Sequence, residues 1–153
     1  MSAGTATKLI ELPDLAATEV LAAAVAGVAR RGDAILLEGP LGAGKTAFAR
    51  AFLRAASSDS ALEVPSPTFT LVQSYDTRLG PVHHFDLWRL AGPDALAELG
   101  WDEACDDIVL VEWPDRLGGL RPAEALTVDL HPGLGNARRA VVSGWPDRLG
   151  RIA

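Results

Sequence analysis

The chain has 153 residues, 48% hydrophobic and 22% charged, with a formal net charge of -6. That length predicts one domain, spanning 1–153, with a core that needs no staples. A single cysteine, Cys105, excludes an internal disulfide framework and a multi-cysteine zinc site, and fits a reducing, cytoplasmic setting.

The first residues, MSAGTATKLIELPDL, lack the basic start and apolar core of a signal peptide. Charges interrupt every apolar stretch before it reaches the roughly 18 residues of a membrane span, so no membrane association is expected. Without a block of Lys or Arg, stable direct binding to nucleic acid is disfavoured. A local basic cluster could still form from Arg116, Arg121, Arg138 and Arg139.

Along the chain, Pro13-Asp14 opens an Ala-, Leu- and Val-rich stretch that runs to Arg30-Arg31 and stops at Gly32, the pattern of a helix. AILLE (34–38) is a continuous apolar run, as expected for a buried strand. GPLGAGKT (39–46) follows, then AFARAFLRAA (47–56) with apolar residues at helical spacing. This is strand, glycine loop, helix. Pro65-Ser66-Pro67 cannot be regular helix, whereas FTLVQSY (69–75) is β-branched and aromatic enough for a strand. RLGP (78–81) predicts a turn into VHHFDLWRL (82–90), giving a hairpin. GPDALAELGWDEAC (92–105) reads as a short helix or two, and DIVLVE (107–112) as a second buried strand. ALTVDLHP (125–132) and ARRAVVSG (137–144), joined by GLGN, predict a terminal hairpin.

The hexapeptide WPDRLG occurs at 113–118 and again at 145–150. Stacked repeats need about three or more units to bury a shared core. One period before Trp113 lies Pro81, in PVHHFD, which shares nothing with the two copies. A repeat architecture is not expected. The upstream contexts differ too, and only the first copy follows a strand that ends on a carboxylate, Glu112.

GPLGAGKT satisfies G-x-x-x-x-G-K-[ST] through Gly39, Gly44, Lys45 and Thr46. Glycines let successive backbone N–H groups converge on a polyphosphate at the positive end of the next helix. Lys45 would reach the β- and γ-phosphates, and the Thr46 hydroxyl would bind Mg²⁺. The motif sits between a predicted buried strand and a helix, which is its confirming context. Such sites usually add a metal-organising carboxylate at the end of a neighbouring strand. Glu112 stands there, where Asp is the usual residue; alone it would read as an ordinary strand end.

Ser66 and Thr68 offer hydroxyls on a proline-stiffened loop, and Asp86 offers a carboxylate at a strand end. They read either as parts that sense phosphate and position water or as turn-stabilising and capping groups. His83 and His84 are adjacent and face opposite sides of a strand, so they cannot share a metal; each is expected to be partly exposed and structural. Trp88 and Trp113 are expected in core or rim packing. The Asn-Lys-x-Asp signature that reads guanine is absent, which favours ATP.

In this order and at these spacings, LEGPLGAGKTAFAR, VPSPTFTLVQSY, HFDLWRL and VEWPDRL resemble the TsaE family, formerly called YjeE. Pro40 replaces the family's common Asp, and Trp88 its usual Tyr. The resemblance implies an α/β fold: a P-loop NTPase-like three-layer sandwich with a mixed central sheet and a C-terminal β-hairpin. It implies an ATPase of tRNA threonylcarbamoyladenosine modification, slow alone, that resets the TsaB–TsaD transferase complex between turnovers and meets tRNA indirectly through it.

By motif, Gly39, Leu41, Gly42, Ala43, Gly44, Lys45, Thr46 and Ala47 would surround the phosphates. Thr46 and Glu112 would hold Mg²⁺, and Asp86 would orient or activate water. Ser66 and Thr68 would form a switch-like loop, Thr18 would lie near the adenine, and Arg138 would approach from the last hairpin. The rival readings are a P-loop small-molecule kinase and a nucleotide-gated binding module.

Overall fold

The structure, a computed structural model, describes residues 6–67 and 69–152. Strands β1 (Thr7–Leu12), β2 (Ala34–Glu38), β3 (Val72–Thr77), β4 (Gly80–Asp86), β5 (Ile108–Glu112), β6 (Leu126–Pro132) and β7 (Arg138–Ser143) alternate with α1 (Leu15–Val28), α2 (Lys45–Ser57) and α3 (Trp101–Ala104). Short 3₁₀ turns cover Pro93–Leu99, Pro114–Leu120 and Leu149–Arg151. The strands form one seven-stranded mixed sheet in the order β1-β7-β6-β2-β5-β4-β3. β2 pairs in parallel with β5 and β6, and β4 with β5; both hairpins and the β1–β7 pair are antiparallel.

The central strands are apolar throughout because both of their faces are covered. Ile35, Leu37, Leu110, Val128 and Leu130 meet Val25, Phe48 and Phe52 of α1 and α2 on one face. Ala34, Leu36, Val109, Val111 and Phe85 meet Leu96, Trp101 and Leu117 on the other. The period of two along each strand separates these clusters. The result is the mixed α/β, three-layer arrangement expected from the sequence, with its C-terminal hairpin.

Three local differences have physical causes. β1 is absent from the sequence expectation: TKLIEL does not alternate in hydropathy, with Leu9 exposed and Lys8 half-buried, and its pairing with β7 comes from the far end of the chain. α1 starts at the Asp14 cap, whose Oδ1 accepts from Ala17 N–H at 2.9 Å. It ends at Val28, before the arginines, because the chain must turn to enter β2. Gly32 donates to Asp107 O at 3.2 Å, and Arg31 pairs with the Asp107 carboxylate at 3.1 Å. β4 ends at Asp86 instead of running to Leu90, since the chain turns there: Trp88 N–H donates to the Asp86 carboxylate at 3.1 Å and Leu90 N–H to Leu87 O at 3.0 Å.

The two WPDRLG copies adopt the same bend. Trp113 and Trp145 are both left-handed, with φ of 60° and 46°. In each copy the Arg N–H donates to the Trp carbonyl, at 3.1 Å from Arg116 and 2.8 Å from Arg148. Their surroundings differ. Trp145 is buried in the core with Leu149 and Ile152, whereas Trp113 is half-buried in a cleft.

The four candidate arginines have separate partners. Arg121 pairs with Glu38, Arg139 with Glu11, Arg116 lies over the Trp88 ring, and Arg138 bonds to backbone carbonyls. No helix among the described residues is long and apolar enough to cross a membrane.

Phe52 is wholly buried between α2 and the sheet. Phe52→Ala is expected to remove about 3–5 kcal/mol of stability, measured as a fall in the urea midpoint with an unchanged m-value. A second expectation concerns acid. The hydrogen bond from His83 at 3.0 Å, opposed by burial and aided by Arg31, holds the Asp107 carboxyl below the usual carboxylate range. A depressed folded-state value adds stability that is complete above the unfolded value of about 3.9 and is lost as pH falls through the folded value. Urea midpoints measured down that acid limb should therefore fall less steeply for Asp107→Asn than for the parent.

Candidate functional site

β2, β5 and β4 run parallel and finish at the same edge of the sheet. The register sets Glu112 beside Leu37 on one side and Asp86 on the other. Residues 39–44 then carry the chain from β2 into α2. Gly39 is the most constrained of them: its φ is 136°, and an added Cβ would sit 2.4 Å from the Leu130 carbonyl oxygen of β6. Gly44 occupies the N-cap of α2 and has no side chain to offer. The first N–H groups of α2 therefore have no capping side chain to satisfy them.

Lys45 is only 5% exposed. Its ammonium donates to the Gly39 and Pro40 carbonyls at 2.5 and 3.1 Å and lies 3.6 Å from the centroid of the Trp113 ring. Burial lowers its pKa, while the charges of Glu112, Asp86 and Asp115 pull the other way. The left-handed backbone at Trp113 marks the corner where the chain leaves β5 and its ring comes to lie by Lys45.

Glu112 is 2% exposed. The Thr46 hydroxyl donates to its two carboxylate oxygens at 2.9 and 3.2 Å. On the other side, His84 Nε2 lies 2.7 Å from Oε2. Asp86, 5% exposed, accepts from Trp88 N–H at 3.1 Å and from the Ser66 hydroxyl at 3.3 Å. The Trp88 and Trp113 rings stand 4.4 Å apart between centroids and wall one side of the cleft.

The cleft has a volume of about 420 Å³. It brings together Leu41, Gly42, Gly44, Lys45, Thr46, Ala47, Ser66, Asp86 and Glu112 from the sequence expectation. Gly39 and Ala43 lie in the same loop but not on its lining. Thr18 is buried in the first turn of α1 and is also absent from the lining. Arg138 reaches the loop from β7, donating from Nε to Ala43 O at 3.1 Å and from Nη2 to Gly42 O at 3.3 Å. Thr68 lies outside the described residues.

Two residues were missed. His84 was expected to be partly exposed and structural; it is completely buried, because its face of β4 is the one covered by α2. Its two-residue spacing from Asp86 was the available signal, since both then share a face. His83 does face the other way, half-buried between Ser74 and Asp107. Arg89 also lines the cleft, with its guanidinium 5.0 Å from the exposed Phe69 ring.

The donor set suits a hard cation shared with phosphate. Among the described residues no group of three His, Cys, Asp or Glu gathers to hold a metal unaided. Mg²⁺ in nucleotide sites takes one or two protein oxygens and completes its shell with phosphate and water. A hydroxyl and a buried carboxylate within hydrogen-bond distance, beside uncapped helix N–H groups, match that requirement.

The family model for threonylcarbamoyl adenosine biosynthesis protein TsaE matches residues 12–140. The chain belongs to the TsaE family. A protein named tRNA threonylcarbamoyladenosine biosynthesis protein TsaE from Rickettsia felis is 36% identical over 114 residues, 74% of this chain and 66% of that one. The Bacillus subtilis protein of the same name is 35% identical, over 72% of this chain and 69% of its own. The chain thus spans about two thirds of the length of the curated TsaE relatives it matches. The crystal structure of Bacillus subtilis YdiB superposes with a TM-score of 0.75 at 25% identity, covering 99% of this chain and 94% of that one.

If phosphate draws Lys45 away from Trp113, MgATP should change the intrinsic tryptophan emission. Trp113→Phe is expected to abolish most of that change while Trp101→Phe retains it. An undiminished response in the Trp113 variant would place Lys45 elsewhere in the bound state.

Proposed function

We propose that this chain is a Mg²⁺-dependent ATPase, slow alone, that assists tRNA N6-threonylcarbamoyladenosine modification by resetting a TsaB–TsaD transferase between turnovers. One observation carries the reading: Lys45, Thr46, Glu112 and Asp86 meet at one strand edge in a chain of the TsaE family. The 153 residues act as a single domain in the cytoplasm. The acidic balance suits an accessory that meets protein and reaches tRNA only through it.

In this reading the loop from Gly39 to Thr46 and the N-terminus of α2 cradle the phosphates through backbone N–H groups. Lys45 exchanges its two carbonyl partners for phosphate oxygens. Thr46 and Glu112 hold Mg²⁺, which when bound neutralises charge on the phosphate oxygens. Asp86 orients or activates the attacking water, with Ser66 fixing its carboxylate. Thr68 completes the switch-like loop, and Thr18 lies on the adenine side.

Slow turnover alone fits a site whose nearby arginines are engaged elsewhere. An arginine at the transferring phosphoryl group is worth about 10³ to 10⁵ in rate. Arg89 lines the cleft over the Phe69 ring, and Arg138 is engaged by loop carbonyls.

Lys45→Ala is expected to abolish measurable ATP binding. Asp86→Ala and Glu112→Ala should lower kcat by about 10² or more with a smaller effect on ATP affinity, read by nucleotide titration and single-turnover assays. The functional test is reconstitution with TsaB, TsaD and tRNA. Addition of this chain should raise modified tRNA beyond one per complex, and the Lys45 variant should not. Equal yields with and without the chain would refute the accessory role.

A further inference from the structure

His84 is buried completely, yet it is a polar ring whose Nε2 meets the Glu112 carboxylate at 2.7 Å. Its other nitrogen, Nδ1, is buried with no hydrogen-bond partner among the described residues. An unsatisfied polar atom in a core costs free energy that an apolar side chain of similar volume would avoid. Packing alone therefore does not account for a histidine at this position. What the ring supplies is one N–H donor aimed at Glu112.

Glu112 has need of such a donor. Glu carries one more rotatable bond than the Asp usual at this place, so its carboxylate is harder to fix. Thr46 approaches from α2 and His84 from β4, where it lies two residues before Asp86, the register partner of Glu112. The two contacts come from different elements. Together they define the position of the carboxylate; Thr46 alone leaves it able to swing about its remaining torsion.

We infer that His84 is a positioning residue, a lateral clamp that holds the Glu112 carboxylate where it can serve a divalent cation. The inference rests on the metal reading of Thr46 and Glu112 given above. His84 itself touches neither metal nor nucleotide. Its part is that of an outer hydrogen-bonding partner, whose loss typically weakens metal binding about 10- to 100-fold.

The test uses the whole chain with ADP, so that no turnover is needed. Free Mn²⁺ is followed by electron paramagnetic resonance during titration, and the affinity for a fluorescent ADP is measured separately in EDTA. His84→Leu, which fills the space without a donor, is expected to weaken Mn²⁺ binding about 10- to 100-fold and to leave metal-free ADP affinity near the parent value. His84→Gln, whose amide N–H reaches in the same direction, should recover most of the loss. Should the Leu variant not fold, His84→Asn, with a shorter reach, takes its place and the same weakening is expected.

Glu112→Gln separates the two ideas. Parent-like Mn²⁺ binding by that variant would overturn the metal reading itself. Weakened binding there, with parent-like binding in His84→Leu, would overturn only the clamp. Equal losses of Mn²⁺ and metal-free ADP affinity in His84→Leu, or no recovery with Gln, would show a structural role instead and also overturn it.

Discussion

A carboxylate taken out of water must be met by donors on every accessible side, or the fold bears several kcal/mol of desolvation. Glu112 imposes that condition at the centre of the sheet edge. Its oxygens require Thr46 on α2 and His84 on β4, so α2 must begin where it does and β4 must lie parallel to β5 in its observed register. The strand order β2-β5-β4 satisfies both requirements at once. Moving β4 elsewhere in the sheet would leave one flank of the carboxylate without a donor. Three elements distant in sequence are thus drawn to one charged group.

The glycine loop is held by contacts internal to the protein. Lys45 turns back onto Gly39 and Pro40, and its charge also lies against the Trp113 ring. In the proposed function, phosphate would therefore compete with bonds internal to the protein as well as with water. Net hydrogen-bond gains in such exchanges are modest, about 0.5–1.5 kcal/mol each. On that proposal, most of the advantage of binding would come from charge and from the backbone N–H groups of the loop.

Much of this was legible in the sequence, for local reasons. AILLE and DIVLVE are short apolar runs bounded by turn residues, and GPLGAGKT between strand and helix allows few arrangements. The central strands and both hairpins followed from pattern alone. β1 did not, because an edge strand whose apolar residues do not keep to one face is recognised only through its pairing with β7. His84 shows the sharper limit. Its neighbour His83 differs from it by a single position, and period two says only that they face apart. Which of them lies under α2, and so beside Glu112, depends on which face the helix covers. The family resemblance named the motif around Asp86, but the link from His84 to Glu112 is visible only in three dimensions. The repeated WPDRLG gives the converse lesson: identical residues make the same bend, and the surroundings assign it to core or cleft.

The terminal hairpin also has a mechanical standing that its distance along the chain conceals. Gly39 lies against the β6 backbone at Leu130, and Arg138 of β7 grips the carbonyls of Gly42 and Ala43. Leu134, at the tip of this hairpin, is 93% exposed. Loop and hairpin are tied at both ends of the glycine segment, so neither can shift without dragging the other or breaking the guanidinium contacts. The hairpin is a handle on the glycine loop: a force applied to its tip reaches the loop through two attachments, with the rest of the sheet as the fulcrum.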